Sequence, residues 1–235
     1  MKMTTHGDYL VQLTRFPLLF PVNVFLVRED DGLTLIDTAI GGTAPAIISA
    51  AQRLGAEIVR ITLTHAHSDH IGSLDALINS LPNAELSMGT ETERILSEDR
   101  AAKAGKSNEK GFAPLEARLL NPGDRVGSLE VAAAPGHATD QIAYLDVRDR
   151  TLIAGDAFQI RGGIAVSGTV KPLFPFPAFS TTDKLLALES ARALRDLTPS
   201  RLAVGHGNTL DDPLAAMDGA IDESDRKLAA KLRHA

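Results

Sequence analysis

Apolar positions along this chain fall into short β-branched runs separated by stretches of helical spacing. Val22–Val27 reads as a strand, Asp30-Asp31-Gly32 as a turn, and Leu33–Ile36 as a second strand that stops at Asp37. From Ala44 the period lengthens. Ile47, Ile48, Ala51 and Leu54 share one helix face, and Gly55 supplies the stop. Ile58–Leu63 is again a buried strand, followed at once by Thr64-His65-Ala66-His67-Ser68-Asp69-His70. Leu74, Leu77, Ile78 and Leu81 then predict a helix ended by Pro82.

The middle of the chain breaks this rhythm. Glu91 to Ala104 is compatible with a helix, and the polar run Gly105–Gly111 reads as a mobile connection, so residues 90–118 are expected to leave the core without forming a separate domain. Strand signals return at Val131–Ala134, Ile142–Val147 and Thr151–Ala154, the last ending at Gly155-Asp156. A second excursion, about 158–180, holds Phe158, Phe174, Phe176 and Phe179 with three prolines. Leu185, Leu186, Leu188, Ala191, Leu194 and Leu197 mark a helix for which Thr182 is the expected cap. After Ala203–Val204 comes Gly205-His206-Gly207, and a last amphipathic helix carries Leu214, Met217, Ile221, Leu228 and Leu232.

The two halves echo each other: strand, turn, strand, aspartate (Asp37 or Asp156), helix, strand, histidine (His65 or His206). Two such halves predict an α/β fold, a four-layer αβ/βα sandwich of two mixed β-sheets with helices outside. The polar strand ends would then meet along one edge. At 235 residues the whole chain is read as one such domain.

Composition narrows the function. With 24 Lys+Arg against 30 Asp+Glu, the formal charge of −6 argues against a nucleic-acid partner. The chain has no cysteine, which removes disulfides, thiolate metal sites and cysteine nucleophiles; any metal must be held by His, Asp or Glu. The apolar stretch Leu10–Val27 is interrupted by Arg15, Pro17 and Pro21, so it reads neither as an export signal nor as a membrane span. The expectation is a cytoplasmic protein with a small-molecule substrate and no membrane partner, with a homodimer left open.

Three of the seven histidines lie within six residues. His65 and His67, two apart in an extended segment, project to one side, whereas Asp69 and His70 lie where the chain turns into a helix. One segment can therefore offer ligands to two neighbouring ions. Imidazole and carboxylate suit zinc, and also iron or manganese. His6 and His234, near the termini, are not expected to be ligands.

His65-Ala66-His67-Ser68-Asp69-His70 resembles the His-X-His-X-Asp-His signature of the metallo-β-lactamase fold superfamily, and the other motifs of that family follow in order. The resemblance implies two metal ions, taken as zinc. His65, His67 and His137 (in Pro135-Gly136-His137-Ala138-Thr139) would hold one, Asp69, His70 and His206 the other, and Asp156 would bridge them. It also implies a bridging hydroxide as nucleophile, with Asp69 orienting it or carrying its proton. Asp37 would hold a ligand loop or histidine from behind. Phe158, Phe174 and Phe176, close in sequence to Asp156, are the expected apolar wall for substrate.

The family hosts many reactions. The resemblance is to its aspartate-bridged hydrolases, glyoxalase II and the homoserine-lactone hydrolases among them, and implies cleavage of an ester or lactone in a small, partly apolar substrate. The lactone hydrolases commonly carry a tyrosine shortly after the bridging aspartate, where this chain has Phe158 and Gln159. A glyoxalase II-like thioester hydrolase is the main alternative. A phosphodiesterase, a redox di-iron protein and a non-catalytic metal binder are further ones.

Overall fold

The computed structural model describes residues 1–104 and 115–233. Its first half begins with a meander of β1 (Lys2–His6), β2 (Leu10–Arg15), β3 (Val22–Glu29) and β4 (Gly32–Ile36). Helix α1 (Ala44–Arg53) leads to β5 (Ile58–Thr62), helices α2 (Ser68–Ile71) and α3 (Leu74–Ser80) to β6 (Glu85–Gly89), and α4 (Thr90–Ala104) precedes β7 (Arg118–Leu120). These strands pair in sequence order, antiparallel from β1 to β4 and parallel from β4 to β7.

The second half contributes β8 (Arg125–Val126), β9 (Leu129–Ala133), β10 (Ile142–Asp146) and β11 (Thr151–Ile153). A two-stranded hairpin follows, β12 (Phe158–Gln159) and β13 (Ala165–Val166), then α5 (Phe176–Phe179), α6 (Lys184–Asp196), β14 (Arg201–Ala203), β15 (Leu210–Asp211) and α7 (Leu214–Leu232). The second sheet has the order β15-β14-β11-β10-β9-β8, with β11 and β14 parallel.

Strand periodicity explains the layering, because successive side chains point to opposite faces. In the first sheet Phe25, Val27 and Ile36 face inward and meet Val131, Tyr144 and Ile153 of the second. Their neighbours Val24, Leu26 and Leu35 face outward, against Ile47 of α1 and Leu74 and Leu77 of α3. Leu145, Leu152 and Leu202 do the same on the other side against α6 and α7. The result is the expected sandwich of two mixed sheets with helices on both outer faces.

Several local expectations change. The cap of α6 is Asp183, not Thr182: the Asp183 carboxylate accepts from the backbone N–H groups of Leu185 and Leu186, while the Thr182 hydroxyl donates to the His137 carbonyl. The stretch Leu10–Val27, read as one interrupted apolar run, is two strands of a hairpin whose connection carries Pro17 and Pro21. Within the 90–118 segment, α4 buries Thr92 and Leu96; the connection 105–111 lies outside the described residues. Among the described residues no helix is long and apolar enough to cross a membrane.

Candidate metal centre

The candidate ligands follow the ends of four strands: β5 leads to His65, His67, Asp69 and His70, β9 to His137, β11 to Asp156 and β14 to His206. β4 leads to Asp37. The structure brings the seven candidate ligands together in three overlapping groups: His65, His67 and His137; His65, His70 and Asp156; Asp69, His70 and His206. Within each group the ligand atoms lie within 4.8 Å of one another. His67 Nδ1 is 3.1 Å from both His65 Nε2 and His137 Nε2. Two nitrogens bound tetrahedrally at about 2.0–2.1 Å from one ion would be roughly 3.3 Å apart, so the trio has the spacing of a ligand set.

Partners behind the rings decide which nitrogen faces the centre. His70 gives Nδ1–H to Asp37 Oδ2 at 2.7 Å, and His206 gives Nδ1–H to the Pro21 carbonyl at 2.7 Å. His65 Nδ1 lies 3.0 Å from the Thr64 hydroxyl, which itself donates to Asp37 Oδ2 at 2.8 Å; His137 Nδ1 lies 3.3 Å from the Thr181 hydroxyl. Each of these rings therefore turns Nε2 inward. Asp37, at φ +61°, also accepts the Thr64 backbone N–H at 2.8 Å, so one carboxylate holds the His70 ring and the root of the loop that carries His65 and His67.

Asp156 occupies the middle. Its Oδ1 is 3.5 Å from His70 Nε2, and its Oδ2 is 3.5 Å from His137 Nε2 and 3.2 Å from His206 Nε2. Asp156 Oδ1 and His70 Nε2 are buried without a hydrogen-bond partner. Such orphans are costly unless something fills the gap, and a cation between a carboxylate oxygen and an imidazole nitrogen satisfies both. The residues present thus fit a metal site. Gly205 makes the close approach possible: a Cβ there would lie 2.1 Å from Asp156 Oδ1 and 2.8 Å from His70 Cε1.

The electrostatics divide the centre in two. Burial pushes the His65 imidazole well below its ordinary pKa and brings His137 down to about 4. Burial also opposes charge on His206 and His70, but there the carboxylates outweigh it. Asp156 and Asp69 bring His206 up to about 10, and Asp156 with Asp37 holds His70 well above the ordinary value. Burial works against the Asp156 carboxylate as well, and His206 and His70 overcome it and keep the group ionised. Asp69, 3.3 Å from His206 Nε2, is likewise held below its usual range against the cost of burial.

Other residues of the site were not visible as sequence motifs. Asp140 accepts the Ala66 backbone N–H at 2.7 Å and the Thr92 hydroxyl at 2.9 Å, and so pins the peptide between His65 and His67. Asn23 donates to the Val204 and Gly207 carbonyls at 2.8 and 2.7 Å, with Gln12 reaching Gly207 at 3.0 Å, and this fixes the His206 loop. Asp140 follows His137 by three residues and was the one with a local signal.

A cleft of about 50 Å³ opens over the centre between His67, Asp69, Phe20, Phe176 and Pro177. Of the three phenylalanines expected there, only Phe176 borders it. Phe158 is fully buried in the core between the second sheet and its helices, a correction to its expected place on the substrate wall. Phe174 is buried behind the cleft, its ring 5.4 Å from those of Phe176 and His206 and 5.0 Å from that of Phe20. Phe20 comes from the β2–β3 connection, far in sequence from the 158–180 excursion.

A family model described as the metallo-beta-lactamase superfamily matches residues 18–206. The chain is 46% identical over 220 residues to the uncharacterized protein YobT of Bacillus subtilis (strain 168), covering 91% of this chain and 94% of that one. It is 30% identical over 169 residues to a hydroxyacylglutathione hydrolase of Xanthomonas campestris pv. campestris, covering 70% of this chain and 57% of that enzyme. Among solved structures, TTHA1623 in a di-iron-bound form superposes with a TM-score of 0.65 at 25% identity, covering 87% of this chain and 96% of the other.

Proposed function

This chain belongs to the metallo-β-lactamase superfamily, and from that premise we propose that it is a dinuclear, zinc-dependent hydrolase of an ester or lactone in a small, partly apolar substrate. One observation carries the reading: buried Asp156 lies between the His137 and His206 rings with an unpartnered oxygen facing an unpartnered nitrogen of His70. His65, His67 and His137 would hold one ion, Asp69, His70 and His206 a second, with Asp156 shared. When bound, a pair of divalent ions supplies a water acidified toward neutrality and an electrophile for the substrate carbonyl.

The chain's own residues do the rest. Asp69 is ionised and has a quarter of its side chain exposed in the cleft, so it is the carboxylate placed to accept a proton or orient water there. Asp37 and the Pro21 carbonyl keep the His70 and His206 nitrogens aimed while the reaction proceeds. Phe20, Phe176 and Pro177 narrow the entrance and exclude bulk water, which strengthens every charge interaction inside. The di-iron-bound neighbour favours iron as the alternative metal.

The test is proton release in a pH-stat from zinc-loaded protein. The substrates are homoserine lactones of several chain lengths, aryl esters, S-lactoylglutathione and one β-lactam, each with and without chelator. Chelator-sensitive turnover of an ester or lactone is the expected result. Faster turnover of the glutathione thioester would establish the second reading, a thioester hydrolase, which the 30% identity to a hydroxyacylglutathione hydrolase favours. Silence across the panel with two metals bound per chain would overturn both.

A further inference from the structure

The surface around the cleft has a character of its own. Of the ten exposed large apolar side chains among the described residues, seven lie in residues 16–19 and 170–179. Leu18, Leu19, Leu173 and Phe179 are 79, 85, 84 and 71% exposed, and Phe16 and Phe176 about half exposed. The two segments form one border. The Phe20 ring contacts those of Phe174 and Phe176 at 5.0 and 5.2 Å, and the Arg161 guanidinium donates to the Leu18 carbonyl. Leaving this much apolar surface in water is unfavourable unless something covers it, and a contiguous patch of this kind marks an interaction site.

Charge and position indicate what covers it. Residues 14–21 and 157–182 contain Arg15, Arg161 and Lys171 and no Asp or Glu, in a chain whose formal charge is −6. Lys171 is paired with Glu223, whereas Arg161 makes its bond to a neutral carbonyl. The border is thus apolar and locally cationic, the pairing that suits the interface of an anionic lipid layer, where leucine and phenylalanine enter the acyl boundary and arginine meets headgroups. A second copy seated here would sit over the mouth of the cleft between Phe20 and Phe176, leaving substrate no route in.

We propose that the segments 16–19 and 170–179 dock this protein on an anionic lipid surface, and that the cleft takes its ester from that surface; the second clause rests on the hydrolase reading. The cleft, at about 50 Å³, has room for a reacting group and not for a chain attached to it. The remainder of an amphiphilic substrate would stay among Leu18, Leu19 and Phe179. Docking needs no spanning helix, so it departs from the expectation of no membrane partner, which had rested on the lack of a spanning segment.

The experiment is flotation of the full chain with vesicles of phosphatidylglycerol and phosphatidylcholine, with pure phosphatidylcholine vesicles as comparison. It is run for the wild type and for a Leu18→Ser/Leu19→Ser variant, whose exposed positions leave the fold untouched. The wild type should float with the anionic vesicles and less with the neutral ones, and the double substitution should lower partitioning about tenfold or more. No flotation, or flotation that the double substitution leaves unchanged, would overturn the proposal. So would a dimer in sedimentation velocity that the same substitutions dissociate, since a second copy would then cover the patch. Hydrolysis of a short soluble ester, measured in parallel, separates the readings. Its loss with flotation intact sinks the hydrolase, and its survival without flotation sinks only the docking.

Discussion

At the scale of single residues, Asp156 and Gly205 form one device. Asp156→Asn keeps the volume and removes the charge that balances two imidazole clusters, so metal content and turnover should both fall by a factor of about 100 or more, with the fold retained. Metal analysis beside circular dichroism checks this, and full metal loading of the variant would contradict the bridging role. Gly205→Ala tests the same point from the backbone. Its methyl would lie 2.1 Å from Asp156 Oδ1, far inside contact distance, and a buried carboxylate has little room to retreat. Loss of metal, with the metal-free chain itself destabilised by about 1–3 kcal/mol, is the expected outcome. The candidate ligands were legible in the sequence because each sits in a short motif at a strand end, where neighbours in sequence are neighbours in space. Phe20 and Asn23 were not, because their contacts to His206 and its loop cross more than 180 residues and leave no local trace.

Elements carry a different kind of information. Short apolar runs placed β3, β4 and β5 to within a residue or two, since a strand buried on both faces shows itself by such a run. The hairpin β12–β13 has only two residues in each strand, too short for any period, and so the direction of Phe158 could not be read; it faces the core with Val166. Caps fail for a similar reason, because Thr182 and Asp183 are both good cap residues and only the backbone decides between them. Asp183 wins with φ −133° and two accepted N–H groups. Asp183→Ala should therefore cost about 1 kcal/mol, seen as a lower thermal midpoint, whereas Thr182→Ala should cost α6 nothing as a cap. Equal destabilisation by the two would assign the cap wrongly.

For the whole molecule, the division of the centre into neutral and charged histidines sets how metal binding depends on pH. Metal binds neutral imidazole, so any proton carried in the metal-free protein must leave. His65 and His137 are held uncharged by burial, the latter down to about 4, and give up nothing near neutrality. His206, raised to about 10, carries a proton at pH 7.5 that must leave before an ion can take its nitrogen, and the upward push of Asp156 and Asp37 on His70 adds to that cost in the same direction. The sign follows directly. Raising the pH toward 10 strengthens the Asp69–His70–His206 side by about tenfold per unit through the His206 proton alone, with His70 adding to it in the same direction. Acidification weakens it, whereas His65 and His137 add no such dependence near neutrality. Zinc titration of chelator-stripped protein at pH 6 and 8 should show two equivalents of unequal affinity, the weaker one losing far more affinity on acidification than the tighter one. Calorimetry in buffers of different ionisation enthalpy should count at least one proton, that of His206, released with the second ion and none from His65 or His137 with the first. Two equivalents of equal affinity at both pH values would mean that the carboxylates do not hold those protons, and that the two sides of the centre behave as one.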